Sequence, residues 1–221
     1  MVIDYSKFDK LVISDSEEEE EEETAVPPAP RTSENNAGDG YFTPEPHDRW
    51  ARNFSNKKEQ HEWLSNCYSM RCDDDYAWGG SNLHGAYDPD MTPETLRKDF
   101  ATFCVLAQRR KVLPKDWDWK AFLEVASYFT QCAFEKSDAQ ERWGGENIFM
   151  GHMEGQRSLR ATGVDIIGTG IEYGSPVHPD FTKAERDVEG DIDKVFEEIG
   201  GKEVWEAYLS KLYSSPVNRI G

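Results

Sequence analysis

Residues 92–111 read TPETLRKDFATFCVLAQRRK, and the way this stretch begins, repeats and ends decides the fold class. Thr92 carries the side-chain oxygen that a helix N-cap needs. Pro93 suits a first turn because its missing amide hydrogen would have no partner there, and Glu94 complements the positive end of the helix dipole. Leu96, Phe100, Phe103, Cys104 and Ala107 follow at intervals that place them on one helical face. The basic run Arg109-Arg110-Lys111 stands at the negative end. Start, face and end agree on an amphipathic helix.

The same logic extends outward. A second helix is expected from near Asp116, after Pro114, to about Phe134. Its apolar residues Phe122, Leu123, Val125, Ala126, Phe129, Cys132 and Ala133 cover much of the circumference, which predicts the central helix of the domain. Residues 49–71 hold Trp50, Phe54, Trp63, Leu64, Cys67, Tyr68 and Met70 and read as one or two helices with a polar break at 55–58. Helical propensity returns at 148–153 and 156–167, and the glycine-rich run 168–176 breaks it. At the C-terminal end, Val188, Ile192, Val195, Phe196 and Ile199 share one face. After Gly200-Gly201 come Val204, Trp205, Tyr208, Leu209 and Leu212, so a helical hairpin is predicted. No strand-length alternation, internal repeat or run of roughly 20 apolar residues is present. The expected class is all-α: a helical domain over 46–170, a C-terminal helical hairpin over 171–221 and a disordered acidic tail over 1–45.

Charge separates the tail from the rest. The chain of 221 residues has a net charge of −18, and residues 1–45 hold thirteen acids against three bases, or −10. Seven consecutive glutamates, a proline cluster and a polar stretch leave little there to bury. Within the tail, residues 3–14 carry Tyr5, Phe8 and Leu11 at helical spacing, a short stripe suited to docking. An acidic chain without clustered Lys and Arg is not expected to bind nucleic acid. No secretory leader or membrane span is seen, so a cytoplasmic or nuclear setting is expected. In such a reducing compartment Cys67, Cys72, Cys104 and Cys132 are expected as buried thiols. Cys67 and Cys72 are spaced CxxxxC, with His61 and His84 as conceivable further zinc ligands, but that spacing is wider than in structural zinc sites. No metal and no cofactor is expected.

Two acidic stretches could carry chemistry. In EKSDAQERWGGEN, residues 135–147, Ser137 can cap a short helix with Gln140 completing a capping box, Trp143 can face inward, and Gly144-Gly145 can end the turn. Glu135, Ser137, Asp138 and Trp143 thereby have structural roles. Asp73-Asp74-Asp75 opens a Gly/Asn/Asp-rich segment that reads as a long ordered loop held by Tyr76, Trp78 and Tyr87, with His84 as its titratable residue. Asp74, Tyr76, Trp78 and His84 are its candidate binding residues, since ordered loops often carry binding work. The alternative is a metal-dependent enzyme using Asp73 to Asp75 with Glu135 or Asp138. No nucleophile elbow, phosphate loop, HExxH or dinucleotide fingerprint is present.

RCDDDYAWGG at 71–80, the stretch 83–119, AFEKSDAQERWGG at 133–145 and RSLRATG at 157–163 together resemble, over roughly residues 60–168, the globular region of fungal and algal proteins that often carry a MYND-type zinc finger. The most specific pieces are Arg71 to Tyr76, Leu113-Pro114-x-x-Trp117 and Glu135 to Asp138. The resemblance implies a non-catalytic α-helical domain, with partner binding ascribed to the finger. Four dispersed cysteines cannot build that finger, so its zinc and its contacts do not carry over. The opening DYSKFDKLVISDSEEE, residues 4–19, resembles the start of the kinase-loading cochaperone of the ninety-kilodalton heat-shock chaperone, where the serine matching Ser14 is phosphorylated. Ser14 and Ser16 each have a glutamate three residues on, which suits an acid-directed kinase of the casein kinase II type. The expected function is an intracellular protein-interaction module with another protein as partner; a metal-dependent enzyme and a chaperone-associated factor are the alternatives.

Overall fold

A computed structural model describes residues 54, 56–80, 83–130, 133–144, 158–170 and 174–214. The expectations for the acidic tail, including Tyr5, Phe8, Leu11, Ser14 and Ser16, lie outside the described residues, as do Cys132 and the helix expected at 148–153. The described residues form eight α-helices and one 3₁₀ turn, with no strand: α1 Lys57–Ala77, the turn Gly85–Tyr87, α2 Pro93–Arg109, α3 Trp119–Phe129, α4 Lys136–Trp143, α5 Leu159–Ile167, α6 Pro179–Gly190, α7 Ile192–Glu198 and α8 Lys202–Ser214. The fold is all-α. None of these helices is long and apolar enough to cross a membrane.

Helix α2 follows its sequence signals. The Thr95 amide donates to the Thr92 hydroxyl at 3.1 Å, and Leu96, Phe100, Phe103, Cys104 and Ala107 are buried. The basic residues at its end are used across the fold: the Arg109 guanidinium grips the Glu198 carboxylate at 2.9 and 2.8 Å and Asp187 at 2.7 Å, tying α2 to α6 and α7.

The central helix is α1, which corrects the expectation for α3. Helix α3 is shorter than its apolar run: Asp118 caps it by accepting from the Ala121 amide at 3.0 Å, and it stops at Phe129. It buries only Phe122, Leu123 and Ala126, and Tyr128 is 72% exposed. Helix α1 lies between α3 and α5 and buries polar His61, Ser65, Asn66, Ser69, Arg71, Asp74 and Asp75 along with its apolar residues. Apolar periodicity shows that this segment is helical but not that it is central, because about half of its buried positions are polar and find their partners in tertiary structure.

The predicted C-terminal helix breaks at Asp191, which ends α6 and caps α7 by accepting from the Lys194 amide at 3.1 Å. At the α7–α8 turn, Gly200 has φ +103° and lies so close to Trp119 that a Cβ would fall 2.4 Å from the Trp119 Cβ, so glycine is required twice over. Beyond it the Phe196 and Trp205 rings stack at 4.6 Å, and Phe100 of α2 touches Phe122, Trp205 and Tyr208. One apolar core therefore runs through α2, α3, α7 and α8.

Candidate functional site

Asp73, Asp74 and Asp75 sit in the last helical turns of α1, which continues to Ala77, and not in the loop expected for them. Acids at a helix C-terminus oppose the dipole; local sequence rules therefore stop the helix early, whereas here each acid has its own donor. Asp73 accepts from the Tyr87 hydroxyl at 2.9 Å. Asp74 is gripped by Arg160 through Nε and Nη2, each 2.8 Å from Oδ1. Asp75 accepts from Arg71 Nε at 2.8 Å. Successive residues of a helix point about 100° apart, so the three carboxylates serve three neighbours.

After α1 the chain reverses and brings His84 back against it. Gly85, at φ +56°, makes this approach possible: a Cβ there would lie 2.7 Å from Cys72 Sγ and 2.9 Å from the Tyr68 hydroxyl. His84 wedges between α1 and α2. Its Nε2 is 3.1 Å from Asp75 Oδ2 and its Nδ1 3.0 Å from Asp99 Oδ2, with Cys72 Sγ 3.6 Å from the same Nδ1. Tyr68 donates to Asp99 as well. Arg71 completes the network on the α5 side, donating to the Thr169 and Gly170 carbonyls at 3.0 Å each and to the Thr169 hydroxyl at 3.2 Å.

These surroundings fix the charges. Burial works against a charged His84, but neighbouring Cys72, Asp99 and Asp75 push its pKa far above the ordinary histidine range. Burial also pushes the Cys72 thiol up, and the nearby His84 draws it part of the way back. Asp75 shows the reverse balance: burial would raise it, yet His84 and Arg71 bring it below the usual carboxylate range. For Asp74 burial prevails over the Arg160 ion pair, and its pKa is pushed up to about 6.

A cavity of about 400 Å³ opens over this network. Arg71, Asp75, His84 and Asp99 line it together with Phe103 of α2, Ile167 of α5 and Phe181 and Glu185 of α6. Val177, 60% exposed, also lines it. Burial and the charges of Glu189 and Asp99 push the Glu185 carboxyl up.

Of the sequence candidates, Arg71 and His84 meet at this cavity. Asp74 pairs with Arg160 instead, the Tyr76 and Tyr87 rings stack at 5.6 Å, and Trp78 is 60% exposed at the end of α1. In the second acidic stretch Glu135, not Ser137, is the N-cap of α4, and its amide donates to Asp138 at 3.0 Å. Ser137 lies inside the helix. Trp143 packs edge-on against Trp63 and Phe54, and Gly144 ends α4 at φ +83°. The zinc set considered from sequence does not assemble: Cys67 is buried beside Thr162, and the His61 ring meets Trp117 at 4.8 Å. Sequence reasoning took Tyr68 only as an apolar helix residue and did not single out Asp99 or Glu185; with Arg97 and Lys98 just before it, Asp99 reads as an ordinary charged position of α2. No protein-family model, curated protein or solved structure matches the chain.

Proposed function

We propose that the chain is a protein-interaction module of the cytoplasm or nucleus, which receives a segment of a partner protein in the cavity lined by α1, α2, α5 and α6. One observation carries this: Arg71, Asp75, His84 and Asp99 beneath the cavity are bonded to one another, while its walls offer apolar surface. General acid–base chemistry needs a group whose proton or lone pair faces the substrate. Arg71 directs its donors to Asp75, Thr169 and Gly170, and both ring nitrogens of His84 face carboxylates. Phe103, Ile167, Phe181 and Val177 suit an apolar side chain, and Asp99 with Glu185 suits a Lys or Arg beside it.

Within this proposal the acidic segment 1–45 is a second contact. Tyr5, Phe8 and Leu11 supply apolar anchors. Phosphorylation of Ser14 and Ser16 by an acid-directed kinase adds about 1.5 to 2 negative charges at each site. Quantitative affinity purification from cells tests the whole. Phe181→Asp should lose the partners that wild type recovers, and deletion of residues 1–24 or Ser14→Ala should reduce their yield. If Phe181→Asp, with its helical circular dichroism intact, recovers the same partners at the same yield, the cavity is not the docking site.

A further inference from the structure

Cys72 Sγ, His84 Nδ1 and Asp99 Oδ2 do more than fill space. One ligand atom from each lies within 4.8 Å of the other two, with Nδ1 3.6 Å from Sγ and 3.0 Å from Oδ2. A tetrahedral zinc ion, with bonds of about 2.3 Å to sulfur and about 2.0–2.2 Å to nitrogen and oxygen, separates its ligand atoms by roughly 3.2–3.7 Å. The two separations from Nδ1 stand close to that spacing, and Sγ and Oδ2, within 4.8 Å of each other, need at most a small approach to complete three corners of such a site.

The surroundings match as well. Metal-bound histidines commonly present their other ring nitrogen to a carboxylate, which fixes the ring and strengthens the ligand. Here Asp75 meets Nε2, and Arg71 in turn fixes Asp75. The Tyr68 hydroxyl holds Asp99, and Gly85 lets the backbone close over Cys72 where any side chain would collide with the sulfur. His84 and Asp99 line the cavity, which gives an ion a way in and leaves a fourth position open to it.

We propose that Cys72, His84 and Asp99 form a binding site for a divalent transition metal, zinc by the chemistry of its sulfur, imidazole and carboxylate donors, with its fourth position facing the cavity. Binding exchanges the Cys72 thiol proton and the His84 Nδ1 proton for the ion, releasing two protons to solvent. The site can be tested apart from the docking reading, which it meets only at Asp99, where an ion would take the place of a partner's Lys or Arg.

Cobalt(II) titration of the chelator-treated full chain, followed by absorption, tests the site without any partner. One cobalt per chain should give tetrahedral d–d bands together with a thiolate-to-cobalt charge-transfer band. Cys72→Ser should abolish the charge-transfer band, and Cys67→Ser and Cys104→Ser should keep it. Asp75→Asn should keep the spectrum but weaken binding about 10–100-fold. A folded wild-type protein that shows no charge-transfer band, or a band that survives Cys72→Ser, would overturn the assignment.

Discussion

His61 and the Arg71–Asp75 pair show how α1 handles buried polarity one residue at a time. His61 is 3% exposed, and burial lowers its pKa; Asp118 works in the opposite direction, and Lys57 adds to the lowering. The unfolded chain therefore takes up a proton near pH 6.5 that the folded chain still refuses. Its contribution to stability is complete above about pH 6.5 and is lost as pH falls toward the depressed folded value. The urea midpoint of wild type minus that of His61→Leu isolates this contribution, and the difference should shrink as pH is lowered from about 7.5 to about 5. The Arg71–Asp75 pair, with side chains 7% and 12% exposed, is buried enough that removing either partner strands the other. Arg71→Gln and Asp75→Asn should each destabilise by about 3–5 kcal/mol, the range for broken buried pairs. A double-mutant cycle should show coupling of about 1–3 kcal/mol, and additive losses would show that the two do not act as a unit.

At the scale of elements, α2 was legible because its cap, its apolar face and its end are local signals, and Thr92, Pro93 and Phe100 all stand where those signals put them. Helix α1 was only half legible. Its Asn56 cap, accepting from the Glu59 amide at 2.9 Å, falls in the expected polar break. Its extension through Asp73 to Asp75 depends on Tyr87, Arg160 and His84, which lie 9 to 86 residues away in sequence. The break between α6 and α7 was missed for a related reason: Val188, Ile192 and Val195 keep one apolar face across it, so periodicity runs on where the backbone does not. The turn into α8 gives a sharp prediction. Gly200→Ala combines a positive φ with a collision at Trp119, and it should cost about 1–3 kcal/mol in urea unfolding. Gly201→Ala shares the positive φ but meets nothing within 4 Å and should cost less.

For the whole molecule, the core reaches from Phe100 in α2 through Phe122 in α3 to Trp205 and Tyr208 in α8. Trp205 is fully buried, and its indole N–H donates to the Ile199 carbonyl at 2.8 Å. Trp205→Ala should therefore cost about 3–5 kcal/mol. Circular dichroism and tryptophan fluorescence should still report one shared transition, because α2 and α8 lose the same contacts together. The candidate site belongs to this scale too: Cys72 and His84 were visible in the sequence as isolated residues, but only the packing of α1 against α2 brings Asp99 to them. The cavity above them is the proposed docking site, and a photo-crosslinking side chain at position 177, on its rim, probes it most directly. The adduct should map to one partner and disappear when Phe181→Asp is added. An adduct that is unchanged by Phe181→Asp, or that forms equally from the exposed position 128 on α3, would contradict docking in this cavity.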